Sequence, residues 1–155
     1  IEIGAVMVNF QDLKVIDEFQ VFIQPIRHPV LTPFCCELTK ISQDDVDNAP
    51  LFPEAISKFK NWLYQYNNFV FCSWGDYDRK QFEQDCQFHK VSYPFSSKHI
   101  NLKQEFTNAQ NLRKKLGMKQ ALEYVNLPLD GTHHRGIDDA RNIAKLLPFI
   151  FKTIE

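Results

Sequence analysis

Two apolar runs at the start of the chain constrain its fold more than any other feature. The run from Ile1 to Val8 is rich in Ile and Val, which favour strands, and a second apolar run extends from Val15 to Gln24. The polar segment 9–14 between them has the length of a turn, so the two runs are predicted to pair as an antiparallel hairpin. Prolines in segment 25–33 lack the N–H that a strand donates, so a loop is predicted there.

Helical patterns dominate after this loop. Ser42 and Asp45 have the spacing of a capping box and predict the start of a short helix. Pro53 suits the first turn of a second helix, because its missing N–H needs no partner there. The apolar stripe of that helix recurs at helical spacing and consists of Ala55, Ile56, Phe59, Trp62, Leu63 and Tyr66.

The remainder of the chain alternates short strands with helices. A buried strand is predicted at 69–72 and a short strand or turn at 100–102. The predicted helices are 78–89, 109–116, 118–125 and 136–154, the last of them bent by Pro148. This order predicts an α/β fold, a mixed β-sheet flanked by α-helices, in a single domain spanning residues 1–155.

Composition sets limits on partners and location. The formal net charge is -1, so the chain as a whole carries no electrostatic footprint for nucleic acid. Arg113, Lys114 and Lys115 are a candidate basic patch, for which a solvated helix face is the favoured interpretation. The four cysteines lack the spacing of a disulfide framework or a zinc site. Without a signal peptide or a long apolar stretch, a cytoplasmic location is expected, or a nuclear one in a eukaryote, with no membrane partner.

Two acidic segments far apart in sequence suggest chemistry. Asp78 follows the predicted strand 69–72, and active sites of open sheets lie at the carboxyl ends of strands. Asp139 begins the last helix, five residues after His134. Carboxylates are suitable ligands for Mg²⁺ or Mn²⁺, and histidine, with an ordinary pKa of about 6.5, can accept a proton from water at neutral pH. Together these residues suggest metal-assisted hydrolysis with His134 as general base.

Each of these residues also has a structural interpretation. Asp138 and Asp139 lie in a first helical turn, where the helix dipole favours carboxylates without any metal. Asp76 and Asp78 fit a turn and a helix cap equally well, and single histidines are more often surface residues than ligands. The spacing of a histidine and an aspartate is therefore a weak pattern when taken alone.

The segments that contain these residues resemble the motifs of a known family. Segment 134–144 resembles the third motif of the DEDDh 3′→5′ exonucleases, segment 73–78 resembles their second motif, and segment 1–6 resembles the strand that follows their first motif. Segment 28–41 narrows the resemblance to the branch of histone-mRNA and small-RNA 3′ exonucleases. That branch also contains bacterial proteins named as inhibitors of a sporulation kinase pathway.

The resemblance implies an RNase H-like fold and two divalent cations, Mg²⁺ or Mn²⁺. It implies that Asp78 and Asp139 are metal ligands and that His134 is the catalytic base. It further implies that a loop approaches the terminal nucleotide and that aromatic faces are available to a base, where stacking is worth about 1–3 kcal/mol. The substrate-binding residues expected on these grounds are Phe34, Leu38, Thr39, Trp74 and Tyr77, with core packing an equal alternative for Trp74.

One part of the family pattern is not found in these residues. The first motif is an Asp-x-Glu pair on a first strand, which belongs upstream of segment 1–6. We therefore expect the chain to be N-terminally incomplete as a domain and the natural protein to be longer. A polypeptide that begins at Ile1 is expected to show negligible catalysis and poor metal binding.

The sequence thus leaves more than one function open. The leading hypothesis is a metal-dependent exonuclease that acts on 3′ ends of single-stranded RNA or DNA, with RNA favoured, and releases nucleoside 5′-monophosphates. A protein partner is expected to contribute targeting. The alternative is a catalytically inactive RNase H-like binding or regulatory module. A zinc protein built from His and Cys is a distant third, because no ligand spacing fits it.

Overall fold

Two short β-sheets and seven α-helices form the part of the chain that this computed structural model describes, residues 1–151. The strands are Glu2–Val8 (β1), Val15–Phe22 (β2), Phe71–Ser73 (β3) and His99–Asn101 (β4). The helices are Pro33–Thr39 (α1), Gln43–Asp47 (α2), Phe52–Leu63 (α3), Tyr77–His89 (α4), Leu102–Ala109 (α5), Met118–Tyr124 (α6) and Gly136–Leu146 (α7). A 3-10 turn, Leu147–Phe149, follows α7.

The predicted N-terminal hairpin is confirmed. β1 and β2 pair antiparallel, from Glu2 opposite Phe22 to Val8 opposite Val15. The Asn9 N–H donates to the Lys14 carbonyl and the Leu13 N–H donates to the Asn9 carbonyl, which closes the turn, and Leu13 adopts a positive φ of 56°.

Helix α3 packs its apolar stripe against this hairpin. Phe59 and Trp62 contact Phe19 of β2, with ring centroids 5.1 and 5.6 Å from it. The Trp62 indole N–H donates to Asp17 Oδ2 at 2.8 Å, and the Tyr66 hydroxyl donates to the same oxygen. These two hydrogen bonds give the polar groups at the edge of the interface a partner. They also fix the position of the helix on the sheet.

The predicted sheet is present as two separate pairs of strands within residues 1–151. β3 pairs with β4 in parallel, with Phe71 opposite His99, and it is not paired with β1. A cavity of about 950 Å³ lies between the two sheets and is lined by every residue of β1 and of β3. The free edges of both strands therefore face the same cavity.

Helix α7 lies directly on β1 because Gly4 has no side chain. A Cβ built at Gly4 would stand 2.0 Å from the Ile137 nitrogen and 2.1 Å from the Gly136 carbonyl carbon. Real Cβ atoms do not approach backbone so closely, so only glycine allows the start of α7 to reach the sheet at this depth. The same contact fixes the loop before α7 relative to β1.

Three predictions about elements are wrong. Segment 34–39, expected as part of a loop, is helix α1, because Pro33 occupies its first turn and the Thr32 hydroxyl accepts from the Cys35 N–H at 3.1 Å. Segment 109–116 is not a helix; α5 ends at Ala109, and Asn111 has a positive φ of 52°. The last helix ends at Leu146, and Pro148 lies in the 3-10 turn. The end of its predicted range, 152–154, lies outside the described residues.

No helix in the described part of the chain has the length and apolar character needed to cross a bilayer.

Candidate active site

Asp78 is delivered to the cavity by the turn between β3 and α4. Gly75 provides a φ of 101° in this turn, and the Ser73 hydroxyl donates to the Gly75 carbonyl at 2.9 Å. Asp78 is open to solvent but lies on the cavity wall, where protein atoms replace much of the surrounding water. This partial burial raises the pKa of Asp78, and the negative charge of Asp139 raises it further.

Asp139 faces Asp78 from the first turn of α7. Its Oδ1 accepts from the His133 ring Nδ1 at 3.0 Å and from the His134 backbone N–H at 3.2 Å. The neighbouring Asp138 is held elsewhere, since its carboxylate accepts from the Thr132 N–H at 2.9 Å and from Arg141 at 3.2 Å. Asp139, and not Asp138, therefore joins Asp78 on the lining of the cavity.

The two carboxylates fit a divalent cation. They come from different elements, line one cavity, and interact strongly enough for one charge to raise the pKa of the other. Like charges at close range cost free energy unless a cation neutralises them. Carboxylate oxygens are also the ligands that hard divalent ions prefer.

His134 is an exposed residue next to Asp139. Its φ of 72° turns the backbone sharply before α7, and its ring stacks on that of His133 with centroids 3.8 Å apart. One ligand atom from each of His133, His134 and Asp139 lies within 4.8 Å of the other two. The structure thus brings both His134 and His133 to Asp139.

A buried ion pair that the sequence did not reveal fixes the loop that carries His134. The Glu2 carboxylate, 3% exposed, accepts from Arg135 at 3.0 and 3.3 Å and from the Gly136 N–H at 2.8 Å. The sequence offers one signal for this pair, because Glu2 is an acidic residue within an apolar strand. A buried carboxylate requires a partner.

His99 forms a second contact that the sequence did not reveal. Its Nε2 lies 2.8 Å from the Ser73 hydroxyl, and its Nδ1 lies 3.7 Å from Asp76 Oδ1. Burial lowers the pKa of His99, and the charge of Asp76 opposes this shift. The histidine therefore links β4 to both sides of the turn that presents Asp78.

The residues expected to bind substrate lie in different environments. Phe34, Leu38 and Tyr77 are exposed, at 72%, 39% and 73%. Thr39 lines a second cavity of about 400 Å³, although its hydroxyl donates to the Cys35 carbonyl at 2.8 Å.

Trp74 packs within the core, since its indole N–H donates to the Leu116 carbonyl at 3.1 Å and its ring contacts that of Phe106. For Trp74 the contacts favour the core-packing interpretation.

This fold and this pair of carboxylates define a class of nuclease domain, and comparison with known proteins identifies the family. The RNase T exonuclease model matches residues 1–147, so the chain belongs to this exonuclease family. KapD of Bacillus subtilis (strain 168), a probable 3′-5′ exonuclease, is 33% identical over 153 residues, which cover 99% of this chain and 72% of KapD. Human 3′-5′ exoribonuclease 1 is 32% identical over 157 residues, which cover 94% of this chain and 44% of the human protein. The chain thus spans less than half of that relative.

Solved structures confirm the RNase H-like fold and the DEDDh resemblance. The nuclease domain of 3′hExo, a DEDDh family member bound to rAMP, aligns with a TM-score of 0.88 at 32% identity, over 95% of this chain and 78% of that chain. Cell-death related nuclease 4 aligns with a TM-score of 0.84 at 25% identity, over 95% of this chain and 54% of that chain. Membership of the DEDDh exonucleases implies dependence on divalent metal ions.

Proposed function

We propose that this chain is the catalytic domain of a metal-dependent 3′→5′ exonuclease that acts on single-stranded nucleic acid, with RNA favoured, and releases nucleoside 5′-monophosphates. The observation that carries the proposal is the convergence of Asp78 and Asp139 on one cavity wall, with His134 beside Asp139. The names of the relatives, which include exoribonucleases, support the same activity.

Asp78 and Asp139 would hold the cations, for which Mg²⁺ and Mn²⁺ are the proposed ions because all the protein ligands are oxygen atoms. When bound, such ions neutralise charge on the reacting phosphate and lower the pKa of water. The folded chain contributes the negative charges of Asp78 and Asp139 to the site. These charges create the negative potential that attracts a cation.

His134 is proposed to take the proton of the attacking water. Its exposure leaves the ring accessible, while its backbone N–H is tied to Asp139 at 3.2 Å and holds the residue near the carboxylates. Proton transfer by a positioned side chain contributes about 10²- to 10⁴-fold to a rate. Arg135 acts indirectly, because its ion pair with Glu2 anchors the loop that carries His134.

The large cavity is proposed to hold an extended strand that carries the family's Asp-x-Glu pair. Such a strand would pair antiparallel with β1 and parallel with β3, whose free edges both line the cavity. Paired backbone groups at both edges would remove the cost of leaving them unsatisfied. Its two acidic side chains would then complete the set begun by Asp78 and Asp139.

The need for a free end provides a direct test of exonuclease activity. A protein that contains the chain and the Asp-x-Glu segment would be incubated with Mg²⁺ or Mn²⁺ and either a linear RNA or the same RNA closed into a circle. We expect the linear RNA to be degraded and the circle to survive, because the enzyme needs a free 3′ end. Cutting of the circle would contradict an exonuclease, and survival of both RNAs would favour the non-catalytic module.

A further inference from the structure

His133, His134 and Asp139 form a cluster whose donors differ from those of a magnesium site. The His133 Nδ1 and the Asp139 Oδ1 are 3.0 Å apart, and one ligand atom from each of the three residues lies within 4.8 Å of the others. A tetrahedral ion bound at about 2.0–2.1 Å holds its ligand atoms roughly 3.3 Å apart. The His133–Asp139 spacing is close to this value, and the His134 ring is exposed to solvent.

The chemistry of these donors selects a particular kind of cation. Two imidazoles and one carboxylate suit Zn²⁺ and similar borderline ions, whereas Mg²⁺ prefers oxygen ligands alone. Asp138, the other carboxylate in this loop, is already held by Thr132 and Arg141. Asp139 is therefore the carboxylate that the two rings share.

We propose that His133, His134 and Asp139 bind Zn²⁺ and that its binding switches the nuclease off. The inhibition rests on the proposed function, because the same ion would occupy the ring nitrogen that His134 needs to accept a proton. It would also withdraw Asp139 from the pair of carboxylates that faces the cavity. His133 is the distinguishing residue, since the family resemblance assigns it no role in catalysis.

Direct binding tests the site without relying on nuclease activity. Protein stripped of metal would be titrated with Zn²⁺ by calorimetry, in the wild type and in His133→Ala and His133→Phe variants. The Phe variant keeps an aromatic ring against His134, where the rings now stack at 3.8 Å, but it offers no ligand atom. We expect both variants to weaken zinc binding at least tenfold, and the exposed control variant His28→Ala to bind as the wild type does.

A second titration measures how strongly Zn²⁺ inhibits the nuclease. The zinc concentration that halves the Mg²⁺-supported rate should rise at least tenfold in both His133 variants, each compared with its own zinc-free rate. Equal zinc affinity in the wild type and the His133 variants would overturn the site. Zinc binding that depends on His133, in a protein that includes the Asp-x-Glu segment but has no Mg²⁺-supported activity, would leave the site intact and reject the proposed function instead.

Discussion

Asp78 is a single side chain whose ionised form makes folding less favourable. Its pKa is raised by partial burial and then by the charge of Asp139, so the folded chain favours the protonated form. The favourable contribution of Asp78 to the free energy of unfolding is therefore fully present below its ordinary pKa. That contribution is lost as the pH rises through the raised pKa of the folded state. At neutral pH and without metal, the ionised carboxylate destabilises the fold.

An Asp78→Asn variant should therefore be more stable than the wild type in EDTA at pH 7. The gain should shrink as the pH falls toward the ordinary carboxyl pKa of 3.8, because the wild-type carboxyl is then protonated as well. Thermal unfolding across this pH range measures the effect. A variant less stable than the wild type at pH 7 would show that burial and the charge of Asp139 do not raise the pKa of Asp78 as described.

Replacing His134 by Ala should separate catalysis from metal binding. We expect the rate of hydrolysis to fall by about 10²-fold or more, because the proton acceptor is lost. Binding of Mn²⁺ should change little, since Asp78 and Asp139 remain. Activity and calorimetric titration of one preparation measure both quantities, and wild-type activity would remove His134 from the proposed mechanism.

Sequence patterns indicated Asp78, Asp139 and His134 as candidate site residues but did not reveal the residues that position them. Asp78 and Asp139 could be recognised because they lie in motifs that resemble those of a family. The contacts of His99 with Ser73, and of Glu2 with Arg135, join residues distant in sequence, and no local pattern encodes them. Such contacts depend on how β-strands and helices meet, which a single sequence does not display.

The position of helix α7 on the sheet depends on Gly4. A Gly4→Ala variant would place a Cβ against the backbone of Gly136 and Ile137, which cannot move without displacing the helix. We expect a loss of about 3 kcal/mol or more, at the upper end of the usual cost of overpacking. The matched control is Gly117→Ala, where the nearest atom is the Gln120 Oε1 at 3.6 Å. Equal denaturation midpoints for the two variants would contradict the close contact.

The Glu2–Arg135 ion pair ties α7 to β1 through charge. An Arg135→Ala variant would leave the buried Glu2 carboxylate without its cation, at an expected cost of about 3 kcal/mol. The control Arg141→Ala loses a hydrogen bond to Asp138 together with the ion pair to Glu18, and both side chains of that ion pair are at least 40% exposed. That pair should contribute about 1 kcal/mol or less. Urea unfolding compares the variants, and similar losses would mean that burial does not strengthen the first pair.

Elements with strong local signals were predicted well, and those set by their surroundings were not. The hairpin and α3 follow from periodic apolar residues, and the capping box of α2 is present with both of its hydrogen bonds. Helix α1 was missed because its sequence has no apolar stripe and none of its residues is buried. The basic residues 113–115, expected on a helix face, lie instead in an exposed loop after α5.

The molecule as a whole is organised around the cavity between its two sheets. β1 and β3 each present a free edge to it, and Asp78 and Asp139 lie on its wall. The overall α/β class followed from the order of predicted elements, but the division into two sheets did not, because strand pairing is a long-range property. A strand in this cavity would join the sheets and supply the remaining acidic residues of the proposed site.

The central claim is that Asp78, His134 and Asp139 belong to a 3′→5′ exonuclease site. The most direct measurement follows a single-stranded RNA labelled on its 3′-terminal nucleotide, incubated with Mn²⁺ and a protein that includes the Asp-x-Glu segment. The account predicts that a labelled nucleoside 5′-monophosphate is the first product and that an Asp139→Asn variant releases none. Label retained by the wild type, or released equally by Asp139→Asn, would contradict it.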